Sequence, residues 1–190
     1  SERSLILGLL KSGVPADCVF HDLYVRKPNG KYSQIDLVIV TNVGIIVVEI
    51  KDYSGWIFGS ENNLNWTQIL PMGKGKEGNK EQFYNPLRQN GTHIKHLKRI
   101  LNDTIPMWSI IVFSDECTFK DVKISLDKQF RVIQLHQLKS VVNKLIKQTK
   151  KDLFSYSDVQ WMYDELHPFT NKDELEKNIH IESLYKNKKT

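Results

Sequence analysis

Residues 34–51 read QIDLVIVTNVGIIVVEIK, and this stretch decides the fold. Two apolar, β-branched runs at residues 34–40 and 45–51 flank Thr41-Asn42-Val43-Gly44, a sequence typical of a hairpin turn. Both runs are apolar on both faces, as strands are when other elements cover each side of their sheet. We therefore predict two antiparallel strands in the middle of a buried sheet.

Strand-like and helix-like segments surround this hairpin. They predict an α/β fold with a central mixed β-sheet flanked by helices. We expect a core domain over residues 1–135 and a helical C-terminal extension over residues 136–190, packed on the core or appended to it. Further strands are expected at residues 18–26, 107–113 and 131–135, and shorter strands at residues 55–58 and 64–69 are expected to continue the meander of the hairpin. Helices are expected at residues 1–11, 85–102, 137–147 and 157–166.

The composition is that of a folded globular chain. Of the 190 residues, 40% are hydrophobic and 26% are charged, which excludes a disordered or low-complexity protein. No apolar run reaches the roughly 20 residues that a bilayer-spanning helix needs. Cys18 and Cys117 are isolated, which argues against a disulfide framework or a zinc site and fits a reducing compartment. We therefore expect a cytoplasmic chain, with a membrane anchor upstream of Ser1 left open.

Two carboxylates and a lysine interrupt the apolar strands. A charge at Asp36 or Glu49 is expensive among such neighbours unless it is paired or bound to a metal. Lys51 follows Glu49 by two residues, so both side chains share one face of the strand. If the hairpin loop is symmetric about Asn42-Val43, Asp36 faces Glu49 and Gln34 faces Lys51. Directly opposed Cβ atoms lie roughly 4.5–5.5 Å apart, so the carboxylates could share a divalent cation such as Mg²⁺ or Mn²⁺.

Two alternatives stay open at this point. A three-residue loop with Gly44 in the left-handed region would shift the register by one residue. The carboxylates would then lie on opposite faces unless a bulge restored them. The trio could also be a buried ion pair of Lys51 with Glu49 or Asp36, with no metal involved.

The surroundings of the trio resemble a known family. Asp36 followed by Glu49-Ile50-Lys51 matches the D…ExK pattern of the PD-(D/E)XK nuclease superfamily. Over about residues 1–101 the chain resembles the NERD (nuclease-related) domain, which implies a restriction-endonuclease-like core. The segments that carry the resemblance are Gln34-Ile35-Asp36, Val48-Glu49-Ile50-Lys51, Asp52-Tyr53-Ser54-Gly55, Trp66 and Asn85-Pro86-Leu87-Arg88-Gln89, with Glu2 in an N-terminal helix.

The resemblance also implies a metal site and its chemistry. Asp36 and Glu49 would hold Mg²⁺ or Mn²⁺, and the main-chain carbonyl of Ile50 would complete the coordination. Lys51 would orient or activate the attacking water as a positive charge near the phosphate. Glu2 is a candidate third carboxylate ligand, with stabilisation of a helix N-terminus as the alternative.

The helix predicted after Asn85 carries the next candidates. Gln89 and His93 are four residues apart and share a helix face, where Gln89 would contact substrate or a metal-bound water. Related nucleases carry a Gln-x-x-x-Tyr motif here, and His93 replaces the tyrosine. Further along the helix, His96 is predicted to be a surface residue.

A basic segment and Gln34 complete the candidate substrate contacts. In residues 71–82 glycines interleave with Lys74, Lys76 and Lys80, and we predict a mobile loop that clamps a phosphate backbone. A solvated flexible loop without that role is the alternative.

These features lead to one expectation and two alternatives. The expectation is a Mg²⁺-dependent DNA endonuclease that hydrolyses phosphodiester bonds. The first alternative is a catalytically inactive, nuclease-derived module that binds nucleic acid or a protein partner. The second alternative is a membrane-tethered interaction domain.

Overall fold

A computed structural model describes residues 18–27, 29–73, 76–125, 129–148, 152–171 and 173, with the backbone alone at residues 76 and 77. The helix predicted at residues 1–11, with Glu2, lies outside the described residues, and so does Lys74.

Two mixed β-sheets form the described fold. The five-stranded sheet has the order β1-β2-β3-β7-β9 and the four-stranded sheet the order β6-β5-β4-β8. The strands are β1 (Val19–Arg26), β2 (Tyr32–Thr41), β3 (Gly44–Lys51), β4 (Gly55–Ser60), β5 (Asn65–Met72), β6 (Lys76–Tyr84), β7 (Met107–Phe113), β8 (Cys117–Lys123) and β9 (Phe130–Gln134). The helices are α1 (Pro86–Ile100), α2 (Leu138–Gln148) and α3 (Tyr156–Leu166), with 3₁₀ turns at Leu135–Gln137 and His167–Thr170.

The predicted hairpin is confirmed. Asn42 and Val43 form a two-residue loop, and Thr41 pairs with Gly44. Gly44 has a φ of +138°, and a Cβ atom there would collide with the carbonyl oxygen of Pro106. Glycine is therefore required at this turn, and the loop stays symmetric. The three-residue loop that would separate the carboxylates does not form.

The middle strand of the larger sheet is β3. It pairs antiparallel with β2 and parallel with β7. Its two faces are covered by different helices, because Leu97 of α1 and Met162 of α3 pack with Val47, whereas Val142 of α2 packs with Val48. The α/β class with a mixed sheet flanked by helices is therefore as predicted.

The smaller sheet corrects two expectations. Strands β4 and β5 do not continue the central sheet but form this second sheet with β6 and β8. The predicted loop at residues 71–82 is wrong in large part, because Lys76–Tyr84 is a strand that pairs with β5. The prediction was wrong because the glycines were interpreted as signs of a loop. Gly78 instead lies where two strands approach closely, and a Cβ atom there would collide with the Leu70 carbonyl oxygen. Lysines suit this strand because it lies at a sheet edge.

The C-terminal helices complete the core. Met162 and Leu166 of α3 are fully buried, as is Val142 of α2. The division of the chain at residue 135 stays a prediction. Of the helices that the structure describes, none combines the length and apolar character that crossing a bilayer requires.

Candidate active site

Strands β2 and β3 separate just beyond their last pair, Leu37 and Val48. The next main-chain donor of β3, the Ile50 N–H, bonds to Oδ2 of Asp36 at 2.7 Å. A side-chain carboxylate has thus taken the place that a strand carbonyl occupies in a regular ladder. This exchange opens the sheet and anchors Asp36 beside Glu49-Ile50.

The neighbouring strand is irregular at the same level. The pairing of β1 with β2 passes from His21–Leu37 to Leu23–Ile35 without pairing Asp22. Asp22 has a φ of +55°, in the left-handed region that few residues other than glycine adopt. This break in the β1–β2 register lies opposite Asp36, where β2 and β3 also stop pairing.

Glu49 lies on the α1 face of β3, almost fully buried. Its Oε1 accepts hydrogen bonds from Lys51 Nζ at 2.8 Å and from Gln89 Nε2 at 2.6 Å. Lys51 Nζ also donates to Gln89 Oε1 at 3.2 Å, which closes a three-residue network. The ion pair that the sequence left open as an alternative is therefore present, between Lys51 and Glu49.

The other oxygen of Glu49 has a different environment. Oε2 is buried and has no hydrogen-bond partner among the described residues, and the same holds for Nε2 of His93. These two atoms are 3.4 Å apart, on side chains that are 3% and 2% exposed. On its other side, the His93 ring places Nδ1 3.5 Å from Ser33 Oγ. An unpartnered buried polar atom costs about 1–3 kcal/mol, so this pair of atoms requires a physical explanation.

Asn85 fixes the start of α1. Its side-chain oxygen accepts the N–H of Leu87 at 3.0 Å, as an N-cap does. Its Nδ2 donates to the carbonyls of Ser60, Glu61 and Asn63, at 3.2, 3.3 and 2.7 Å. The helix that carries Gln89 and His93 is thereby tied to the second sheet.

Asn90 fixes the middle of α1, and the sequence analysis did not identify it. The residue is fully buried, and its Nδ2 donates to Val47 O at 2.9 Å and Ser109 Oγ at 2.8 Å. A signal for it exists in the sequence, because Asn90 interrupts an apolar stripe between Leu87 and Ile94 at helical spacing. Its bonds to β3 and β7 turn the face with Gln89 and His93 toward Glu49.

His96 corrects another expectation. It was predicted at the surface, but only 7% of it is exposed. Burial lowers the pKa of His96, and the nearby charges of Arg99, His93 and Lys27 act in the same direction. The wrong prediction came from treating this histidine as part of a polar face, although α1 is buried on that side.

Several predicted substrate residues do not join the network. Gln34 does not pair with Lys51, because the β2–β3 ladder ends before it, and its amide donates instead to Asp22 Oδ1. Lys80 lies on β6 opposite Ile69, in the second sheet. The side chain of Lys76 lies outside the described residues, as do Lys74 and Glu2.

The described residues offer a partial metal site. Among them, no group of three or more His, Cys, Asp or Glu side chains is close enough to hold one ion. Glu49 Oε2 nevertheless points to no donor, and Asp36 is anchored at the adjacent main chain of β3. Carboxylate and carbonyl oxygens are the donors that Mg²⁺ and Mn²⁺ take, so these residues fit such an ion, with water completing the coordination.

Comparison with known proteins identifies the family of the chain. The chain is 30% identical over 174 residues to an uncharacterized protein of Bacillus anthracis, an alignment that covers 88% of this chain and 74% of that protein. The description of the nuclease-related domain, NERD, matches residues 4–114, which include Asp36, Glu49, Lys51, Gln89 and His93. The chain therefore belongs to the nuclease-related domain family.

Proposed function

We propose that this chain is a metal-dependent endonuclease domain that hydrolyses phosphodiester bonds in DNA. The main observation in support of the proposal is that the two oxygens of the Glu49 carboxylate have different environments. One oxygen is held by Lys51 and Gln89, while the other is buried with no hydrogen-bond partner in the described part of the chain. A carboxylate that served structure alone would gain from bonding both oxygens.

Four groups of the chain would share the work. Asp36, Glu49 and the Ile50 carbonyl would hold Mg²⁺ or Mn²⁺, with Glu2 as a further candidate. When bound, the ion would stabilise charge on the phosphate and make water more acidic. Asp36 keeps β2 and β3 apart at this point, because its bond to the Ile50 N–H replaces a strand pairing.

Lys51 and Gln89 would act on the substrate side. The Lys51 side chain is 16% exposed, so its ammonium group contacts Glu49 and still borders solvent. A phosphate or a water molecule entering there meets a positive charge that Gln89 holds in place at 3.2 Å. The same lysine offsets the repulsion that a buried carboxylate would exert on an incoming phosphate.

A second candidate function is a module that binds nucleic acid or a protein without cutting. The observation in its favour is that Lys51, Gln89 and the Oε1 oxygen of Glu49 already bond to one another. A network of this kind can persist as a structural ion pair after catalysis has been lost.

Substitution of the two carboxylates distinguishes these functions. We expect Glu49→Gln and Asp36→Asn to abolish Mg²⁺-dependent cleavage of duplex DNA while the melting transition stays cooperative. Glu165→Gln, which changes an exposed carboxylate on α3, is the matched control and should cleave as the wild type does. Cleavage by both site variants would contradict the proposal. A wild-type chain that binds DNA and never cuts it would favour the binding module.

A further inference from the structure

We propose that His93 is a nitrogen ligand of the metal held by Glu49, so that the site selects Mn²⁺ or another imidazole-binding divalent ion over Mg²⁺. This inference rests on the proposed function, because it concerns the same metal. It adds a ligand that the sequence pattern does not supply, since the related motif has tyrosine at this position.

The separation of two atoms supports a shared ion. Glu49 Oε2 and His93 Nε2 are 3.4 Å apart. An N–H···O hydrogen bond spans about 2.7–3.2 Å, so this contact is longer than a good hydrogen bond. Two neighbouring ligands that each lie about 2.1 Å from one ion are separated by about 3.0 Å in an octahedral site, the geometry of Mg²⁺ and Mn²⁺, and by about 3.4 Å in a tetrahedral site. The observed distance therefore lies close to that of two ligands of one ion.

The isolation of the same atoms supports it further. Both are buried, and neither has a hydrogen-bond partner among the described residues. Lys51 and Gln89, the two donors nearest to Glu49, both bind Oε1 rather than Oε2. Two adjacent buried atoms without partners are stabilised together if one cation binds both.

The contact on the far side of the ring fits a ligand histidine. Metal-bound histidines usually donate their second ring N–H to a neighbouring acceptor, which fixes the tautomer. Ser33 Oγ is 3.5 Å from Nδ1 of His93, at the long limit of a hydrogen bond, and is the neighbouring group that can accept this proton. With the proton on Nδ1, the lone pair of Nε2 faces the Glu49 carboxylate, an arrangement that a cation between them stabilises.

A nitrogen ligand changes which ions bind. Mg²⁺ and Ca²⁺ prefer oxygen ligands, whereas imidazole favours transition metals. A site in which Glu49 supplies an oxygen and His93 a nitrogen combines both kinds of donor, which favours Mn²⁺ over Mg²⁺.

Pulsed electron paramagnetic resonance of the full chain loaded with Mn²⁺ tests the ligand directly. We expect hyperfine coupling from a directly bound ¹⁴N nucleus in the wild type. Incorporation of ¹⁵N-histidine should convert that coupling to the ¹⁵N pattern. This labelling experiment needs no variant, so the absence of nitrogen coupling in the wild type overturns the proposal even if a buried substitution at His93 prevents folding.

Three variants then assign the nitrogen to its residue. His93→Gln should remove the coupling and weaken Mn²⁺ binding by at least about 10–100-fold, the loss typical of altering a residue beside a ligand, while Mg²⁺ affinity changes less. His96→Gln is the matched control, because it removes another buried histidine of α1. His136→Gln removes an exposed histidine paired with Asp115 at 2.7 Å, a place where Mn²⁺ could bind weakly at the surface. Both controls should keep the coupling.

The outcomes separate this inference from the proposed function. If Mn²⁺ binding depends on Glu49 but shows no nitrogen coupling, His93 is not a ligand and the proposed function stands. Coupling that persists in a folded His93→Gln chain also overturns the inference. If the wild type binds neither Mn²⁺ nor Mg²⁺, the inference and the metal-dependent function both fail.

Discussion

Glu49 and Lys51 form an ion pair whose two members differ in burial. The Glu49 side chain is 3% exposed and the Lys51 side chain 16%, with 2.8 Å between Oε1 and Nζ. The lysine has a flexible stem and a route to solvent, whereas the carboxylate has neither. Removing Lys51 and removing Glu49 should therefore lower the free energy of unfolding by different amounts.

Lys51→Met should destabilise the metal-free protein more than Glu49→Gln. The first change leaves a buried carboxylate without its cation, which costs about 3–5 kcal/mol. The second leaves a lysine that can turn toward water, so a smaller loss is expected. Urea unfolding in the presence of a chelator measures both free energies. Equal losses would show that Lys51 is held in the site as tightly as Glu49.

For single residues, the sequence predicts which ionisable groups are buried in the sheet better than it predicts which side chains touch. Asp36, Glu49 and Lys51 could be identified because ionisable groups are rare inside apolar strands. The approach of His93 to Glu49 could not be predicted, because it depends on how α1 is rotated over the sheet. That rotation is fixed by Asn90, whose bonds reach Val47 and Ser109 on two separate strands.

Helix α1 carries half of the site and is fixed chiefly at its N-terminus. Asn85 combines an N-cap bond with three side-chain bonds to carbonyls in the turn between β4 and β5. Ser155 also caps α3, but it is exposed, and its side-chain bonds to described residues stay within the first turn of that helix. Replacing each residue by alanine therefore compares a cap that also bonds to another element with a cap alone.

Asn85→Ala should destabilise the protein by about 2–4 kcal/mol, because it removes both a cap and the bonds from Asn85 Nδ2 to the carbonyls of Ser60, Glu61 and Asn63. Ser155→Ala should cost about 1 kcal/mol, the value of a cap alone. Chemical denaturation of both variants gives the comparison. If both lose the same amount, the bonds from Asn85 to the second sheet do not hold the helix.

Among the elements, the hairpin was predictable and the second sheet was not. The apolar runs around Asn42-Val43 define strands, turn and register within the local sequence. By contrast, β6 has few apolar residues and depends on pairing with β5, and β8 depends on parallel pairing with β4. Such strands form because of distant partners, which a reading of local patterns does not detect.

The two faces of the five-stranded sheet have different roles in the molecule. Glu49 and α1 lie on one side, whereas α2 covers the other. The family match ends at residue 114, yet β9 pairs with β7 and α3 buries Met162 in the core beyond that point. Strand β9 and helix α3 therefore belong to the same packed structure as the matched region.

DNA binding should depend moderately on salt, because the net charge is only +5. Each neutralised phosphate contributes about −0.9 to the slope of log K against log salt. Contacts from four lysines, namely Lys51, Lys74, Lys76 and Lys80, would therefore give a slope of about −3 to −4. Changing Lys74, Lys76 and Lys80 to alanine should make that slope shallower by about 2–3. Lys144 and Lys147, exposed on α2, are the matched control, and their removal should leave the slope unchanged. Titration of labelled duplex with Ca²⁺ in place of Mg²⁺ measures it, and an unchanged slope in the triple variant would exclude these lysines as DNA contacts.

An anomalous difference map from crystals soaked in Mn²⁺ tests whether Asp36 and Glu49 hold a catalytic ion. We expect a peak bounded by Glu49 Oε2 and Asp36, at coordination distances of about 2.0–2.6 Å. The same soak of Glu49→Gln crystals should show no peak there. A wild-type map with no peak at Glu49 under saturating Mn²⁺, and with the Lys51–Glu49 ion pair intact, would show that these carboxylates do not hold a metal.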